Sequence, residues 1–101
     1  MARCVLIVTF HPKPGAWDEV NAIIVEHARL TLAEEPGCHQ FDVLHPEAAD
    51  GGKDSGRIML MEVYEDREAL AAHRRNPRMP AIGAALDSLL AGRDLVTCDL
   101  A

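Results

Sequence analysis

A chain of 101 residues with 49% hydrophobic and 26% charged side chains has the length and balance of one ordinary globular domain, expected over residues 1–101. Its formal charge of -6, with Lys and Arg scattered rather than clustered, argues against a surface that tracks nucleic-acid phosphates. Three cysteines, Cys4, Cys38 and Cys98, are too few and too far apart for a disulfide framework, and no apolar run approaches the roughly 18 residues that span a bilayer.

The first apolar run is broken by Thr9 and His11 and is shorter than a secretory core, so a cytoplasmic protein with no membrane partner is the expectation. Residues 4–10 are β-branched and aromatic and predict a strand, closed by His11-Pro12-Lys13-Pro14-Gly15. From residue 16 to about 33, Trp17, Val20, Ile23, Ile24, Ala28, Leu30 and Thr31 recur at helical spacing. That helix is expected to end near Glu35, because Pro36 disfavours helical backbone in the residue before it.

Residues 38–45 alternate, with His39, Phe41 and Val43 on one face and Gln40, Asp42 and Leu44 on the other, which predicts a polar edge strand. Residues 46–56 have the Gly, Asp and Lys content of an exposed loop, either a lid or a disordered stretch. Residues 58–64 predict a third strand. Asp66 then caps a helix carrying Ala69, Leu70 and His73, which Asn76-Pro77 interrupts. A second helical stretch with Ile82, Ala85, Leu86, Leu89 and Leu90 runs to Gly92, and a last strand covers residues 95–100.

Strand, helix, strand, strand, broken helix, strand is the βαββαβ order of a ferredoxin-like α+β fold, with an antiparallel sheet and both helices on one face. Strand one shows apolar residues on both sides, Cys4, Leu6, Val8 and Phe10 opposite Val5, Ile7 and Thr9, and the third strand sets Met59, Met61 and Val63 opposite Ile58, Leu60, Glu62 and Tyr64. A sheet apolar on both faces predicts a homodimer through the helix-free face, a dimeric α/β barrel.

Two stretches carry more than fold: Glu35-Pro36-Gly37-Cys38-His39-Gln40-Phe41-Asp42-Val43-Leu44 and Met61-Glu62-Val63-Tyr64-Glu65-Asp66-Arg67-Glu68-Ala69-Leu70-Ala71-Ala72-His73. Together they resemble the antibiotic-biosynthesis-monooxygenase family, whose members include quinol monooxygenases and an isomerase of a phosphorylated signal-breakdown product. The resemblance implies an enclosed pocket that handles a small organic molecule with no metal and no bound cofactor. Where many relatives have a small hydroxyl residue before the proline and His plus an aromatic after it, this chain has Asn76 and then Pro77-Arg78-Met79, which alters the pocket rim. Haem-degrading relatives place an axial histidine farther along the second helical stretch; residues 80–92 contain none, which disfavours haem degradation.

His73 shares the interior helical face with Ala69 and Leu70, and a histidine in an apolar pocket is a natural acid or base near neutral pH; the family likeness makes it the expected catalytic base. Glu62 and Tyr64 point to one face of the third strand, the carboxylate needing a partner and the phenol able to donate to a substrate oxygen. His39 and Phe41 are candidates to reach the substrate, with Thr31 and Asn76 as polar rim groups. His27 borders the core, His11 and His45 sit at strand ends facing solvent, and Trp17 reads as a packing residue.

No short Cys or His spacing of a metal motif is present, and no Gly-rich phosphate or dinucleotide loop. The leading expectation is a cofactor-independent monooxygenase of a small quinol-like or polyphenolic substrate. Two alternatives stand beside it: an isomerase or tautomerase of a small hydroxyketone, phosphorylated or not, and a non-catalytic dimeric ligand-binding or stress-response barrel.

Overall fold

The N-terminal apolar run becomes the spine of the sheet. In the computed structural model, which describes residues 2–101, β1 (Cys4–Pro12) pairs antiparallel with β3 (Ile58–Tyr64) on one side and β4 (Leu90–Asp99) on the other. β2 (Cys38–Leu44) pairs with β3, so the strand order is β2-β3-β1-β4 and the two more polar strands are the edges. The fold is the ferredoxin-like one that the element order predicts, with the second helix divided in two.

Register decides which residues meet the helices. Cys4, Leu6, Val8 and Phe10 lie opposite Tyr64, Glu62, Leu60 and Ile58, and all eight are buried on one face. Against that face α1 (Trp17–Glu34) sets Val20, Ile24, His27, Ala28 and Thr31, the stripe a 3.6-residue period requires. α2 (Arg67–Arg74) begins at Asp66, whose carboxylate accepts the Ala69 backbone N–H at 2.8 Å, and buries Leu70 and His73 one turn apart. α3 (Met79–Asp87) contributes Leu86. Burying each large aliphatic side chain in this layer contributes about 1.5–3 kcal/mol, so the helices are held to the sheet by area rather than by caps.

The link from α1 to β2 is tightly built. Pro36 holds Glu35 in extended backbone (φ -112°, ψ 100°), which stops the helix. At Gly37 a Cβ would lie 2.7 Å from the Ala69 Cβ, so the turn passes against α2 where no side chain fits.

Three expectations are corrected. α3 ends at Asp87, not Gly92: the Lys13 N–H donates to the Leu89 carbonyl at 2.8 Å, and Leu90 and Gly92 are already paired with Pro12 and His11 in β4, so sheet pairing overrides the helical spacing of Leu89 and Leu90. Residues 46–56 form a folded turn rather than a disordered stretch. Glu47 bridges to Lys53, the Ala48 N–H donates to the Gly52 carbonyl at 2.7 Å, and the Lys53 ammonium sits 3.7 Å from the centre of the Trp17 ring. The third correction is in β2. Its register shifts between Cys38 and Gln40, a bulge that turns Cys38 and Phe41 to the core side and leaves His39 exposed.

No helix is long and apolar enough to cross a membrane. The sheet face away from the helices carries Val5, Ile7, Met59, Met61, Val63 and, on β4, Val96 and Cys98, with Val96 58% exposed.

Candidate functional site

Between the buried sheet face and the three helices lies a cavity of about 130 Å³. Its walls are aliphatic and aromatic, Leu6, Val8, Phe10, Ile24, Leu60 and Leu86 among them, and into this apolar shell project His27 from α1, Glu62 from β3 and His73 from α2. All three polar residues are nearly inaccessible to solvent, at 6%, 3% and 4%.

His73 is held from behind. Its Nδ1 lies 2.8 Å from Glu35 Oε1, and Glu35 is held in turn at Oε2 by the Arg78 guanidinium at 3.0 Å and, more loosely, by Asn76 Nδ2 at 3.4 Å. Arg78 also donates to Glu34 at 2.8 Å and to Thr31 Oγ1 at 3.3 Å. A carboxylate paired with arginine can only accept, so Nδ1 carries the hydrogen, and when the ring is neutral Nε2 presents its lone pair on the other side. That side is the cavity side, where Nε2 stands 4.0 Å from Glu62 Oε1, close for a charge pair and too long for a hydrogen bond.

Glu62 is gripped by its neighbour two residues on, because side chains two apart share a strand face. The Tyr64 hydroxyl donates to Glu62 Oε1 at 2.6 Å. Burial pushes the Glu62 carboxyl up to about 7, against the opposing pull of the Tyr64 hydrogen bond and the Arg74 charge. Burial, reinforced by the Glu62 charge, drives the Tyr64 phenol far above its ordinary range, so it acts as a donor. His27 is moved the other way: loss of hydration, with the charges of His73 and Arg78, lowers it to about 4, and the ring is neutral at physiological pH. Its ring centre lies 5.3 Å from that of His73. The Cys38 thiol is raised by burial to about 11, which removes it as a nucleophile.

The expected site residues therefore divide. His73, Glu62 and Tyr64 come together. Phe41 stands behind them, its ring 5.5 Å from His27 and 6.4 Å from His73, as packing for the imidazoles. Thr31 and Asn76 do not form a rim. Thr31 is wholly buried and donates to the His27 carbonyl at 2.8 Å, while Asn76 serves Glu35 and accepts the Arg78 N–H at 2.9 Å. His39 is removed from the cavity: the bulge carries it to the surface, hydrogen-bonded to Glu65. His11 and His45 bond Asp94 and Asn21 at 2.8 and 2.7 Å.

Three residues absent from the expected set complete the site, His27, Glu35 and Arg78. The Pro77-Arg78-Met79 departure from the family pattern is thus the clamp on Glu35. A signal for Glu35 existed in the sequence: an acidic residue forced into extended backbone by Pro36 leaves the helix surface and can turn inward.

Residues 3–85 match the family described as antibiotic biosynthesis monooxygenase. The chain belongs to that family. It is 34% identical over 85 residues to "Putative monooxygenase Rv0793" of Mycobacterium tuberculosis, covering 84% of this chain and 77% of that protein. The solved structure of Rv0793 superposes with a TM-score of 0.77 at 30% identity, over 99% of this chain and 94% of that one. A Caulobacter crescentus CB15 structure reaches 0.88 at 22% identity, with 99% and 91% covered. SnoaB from Streptomyces nogalater, a cofactor-independent oxygenase, gives 0.79 at 17% identity, with 97% and 92% covered, which speaks to the shared fold alone. Membership supports a monooxygenase-like function.

The raised Glu62 carboxyl has a thermodynamic consequence. Its folded-state value lies above the ordinary 4.5, so the native state holds a proton that the unfolded chain releases. Stability from this group is complete below about 4.5 and is lost as pH rises through about 7. His27, lowered from 6.5, acts in the opposite sense, costing stability as pH falls through about 4. Replacing Glu62 with Gln removes only the first effect, and urea unfolding at pH 5 and pH 8 should show the variant gaining on the parent by about 2–3 kcal/mol between the two. A difference that does not change with pH would contradict the buried-carboxyl assignment.

Proposed function

We propose that the cavity binds a small hydroquinone or polyphenol and oxygenates it with dioxygen, without a resident cofactor, using His73 as the base. The observation that carries this reading is the Glu35–His73 hydrogen bond, which leaves Nε2 free on the cavity side. A base held in one tautomer and one orientation inside an apolar pocket takes a hydroxyl proton with little reorganisation.

The chemistry then follows from the substrate. Proton transfer from a ring hydroxyl to Nε2 leaves an electron-rich anion, which gives one electron to dioxygen and forms superoxide and a semiquinone. The two radicals recombine at a ring carbon to a peroxide. Loss of water from the peroxide gives a hydroxyquinone, so one quinol and one O2 become one hydroxyquinone and one H2O. His73 returns its proton to the departing oxygen. Glu62, near neutrality in its own titration, is a second proton donor in the same wall, and Tyr64 positions it.

The same Glu62 favours a second reading. An imidazole and a carboxyl facing each other at 4.0 Å form an acid–base pair suited to moving a proton between two carbons of a hydroxyketone, with no oxygen consumed. Oxygen uptake identifies the first reaction, and solvent deuterium entering the ketone identifies the second. Neither signal, over a panel of quinols and hydroxyketones, would point to the non-catalytic barrel.

For oxygenation, His73→Ala and His73→Gln should keep the parental circular dichroism and lower the oxygen-electrode rate by about 10^2 to 10^4-fold. Parental rates in both variants would remove His73 from the mechanism.

The helix-free sheet face suits a second copy of the chain, because Ile7, Met61 and Val96 would otherwise leave a contiguous apolar patch in water. The two buried free cysteines, Cys4 and Cys38, fit a reducing, cytoplasmic setting. Sedimentation equilibrium at micromolar concentration should give twice the chain mass, and Val96→Lys should shift it toward the monomer. A parental chain that sediments as a monomer would contradict the dimer.

A further inference from the structure

The cavity is small. An apolar cavity of about 150 Å³ is enough to hold benzene, and here the volume is about 130 Å³. One six-membered ring is close to this volume, and a fused pair exceeds it. Beside β4, where the lining residue Leu95 is 51% exposed, the cavity opens, so a ring substituent has a way out.

The cavity wall is not electrically neutral. In this acidic chain Arg29, Arg57, Arg67, Arg75, Arg78 and Arg93 each hold a carboxylate. Two arginines line the cavity: Arg93 is paired with Asp87, while Arg74, like Arg3 outside the cavity, holds no carboxylate among the described residues. Its place in the last turn of α2 suits any cation, but Arg75 answers that preference equally well and pairs with Glu68 on the surface. Inside, the His27 Nδ1 is buried with no hydrogen-bond partner in a residue of the cavity wall.

We infer that the ligand of this cavity is a single aromatic ring bearing hydroxyl groups and one anionic substituent, with the ring beside His73 and His27 and the anion at Arg74. The inference rests on the proposed oxygenation for its choice of a hydroxylated ring, and on cavity size and Arg74 for the rest.

Binding is measured by calorimetry under nitrogen, so that no turnover occurs, with hydroquinone, gentisate (a dihydroxybenzoate) and dihydroxynaphthoate as probes. Gentisate should bind at least about ten-fold tighter than hydroquinone, as one charge-assisted pair allows. Arg74→Gln should bring that ratio to about one, Arg75→Gln should leave it unchanged, and dihydroxynaphthoate should bind at least about ten-fold more weakly than gentisate. A ratio near one in the parent, a ratio that survives in Arg74→Gln, or tighter binding of the naphthoate would overturn the inference. If the binding pattern holds and no oxygen is consumed in air, the oxygenation reading fails and the ligand class stands. Should oxygen be consumed while the affinities are equal, the reverse is true.

Discussion

A histidine buried among aliphatic side chains can act as a base only if something decides which nitrogen it offers, and here that decision is made by Glu35. The residue stands just past the end of α1, turned out of the helix by Pro36, and reaches across to α2 to accept from His73 Nδ1. Arg78, from the start of α3, holds the other carboxylate oxygen. Three helices thus converge on one carboxylate, and the orientation of the His73 ring is a property of how they pack. The Gly37 turn against Ala69 sets the distance between α1 and α2 that the bond needs.

The polar residues of the core are arranged so that almost each atom has a partner, as a small protein requires when a buried unpaired group costs roughly 1–3 kcal/mol. Thr31 returns its hydroxyl to its own helix and Tyr64 spends its hydroxyl on Glu62. The atoms left over are informative for that reason. His27 Nδ1 and Arg78 Nε are buried without partners, and the first belongs to a residue of the cavity wall. Glu62 and His27 sit in the same apolar shell and are displaced in opposite directions by the same desolvation, the carboxyl toward neutrality and the imidazole away from charge. A pocket that disfavours charge on both is one in which a proton moves readily and an unbalanced charge is costly.

Much of this was legible in the sequence because it is local. Alternation in β3 put Glu62 and Tyr64 on one face, and helical spacing turned His73 inward with Leu70. The helix stop at Pro36 was equally plain. What failed was either a break in periodicity or a contact between distant segments. The β2 bulge lies between Cys38 and Gln40, so alternation counted from Phe41 gives the wrong side to His39. Leu89 and Leu90 continue a helical spacing that pairing with β1 interrupts, and the Gly-rich turn at residues 46–56 is held by Trp17, far away in sequence. Glu35, Arg78 and His27 become site residues only when α1, α2 and α3 are brought together. Thr31 and Asn76 read as polar rim groups from the sequence, yet their hydrogen-bond partners are the His27 carbonyl, Glu35 and the Arg78 backbone.

If Glu35 takes the Nδ1 hydrogen, a neutral His73 presents its Nε2 lone pair to the cavity. Long-range nitrogen–proton NMR correlation on protein labelled with nitrogen-15 histidine reads the tautomer of each ring directly. At pH 7.5 the His73 resonances should show the Nδ1–H form, and Glu35→Gln should reduce that preference. An Nε2–H tautomer for His73 in the parent protein would contradict an imidazole oriented by Glu35.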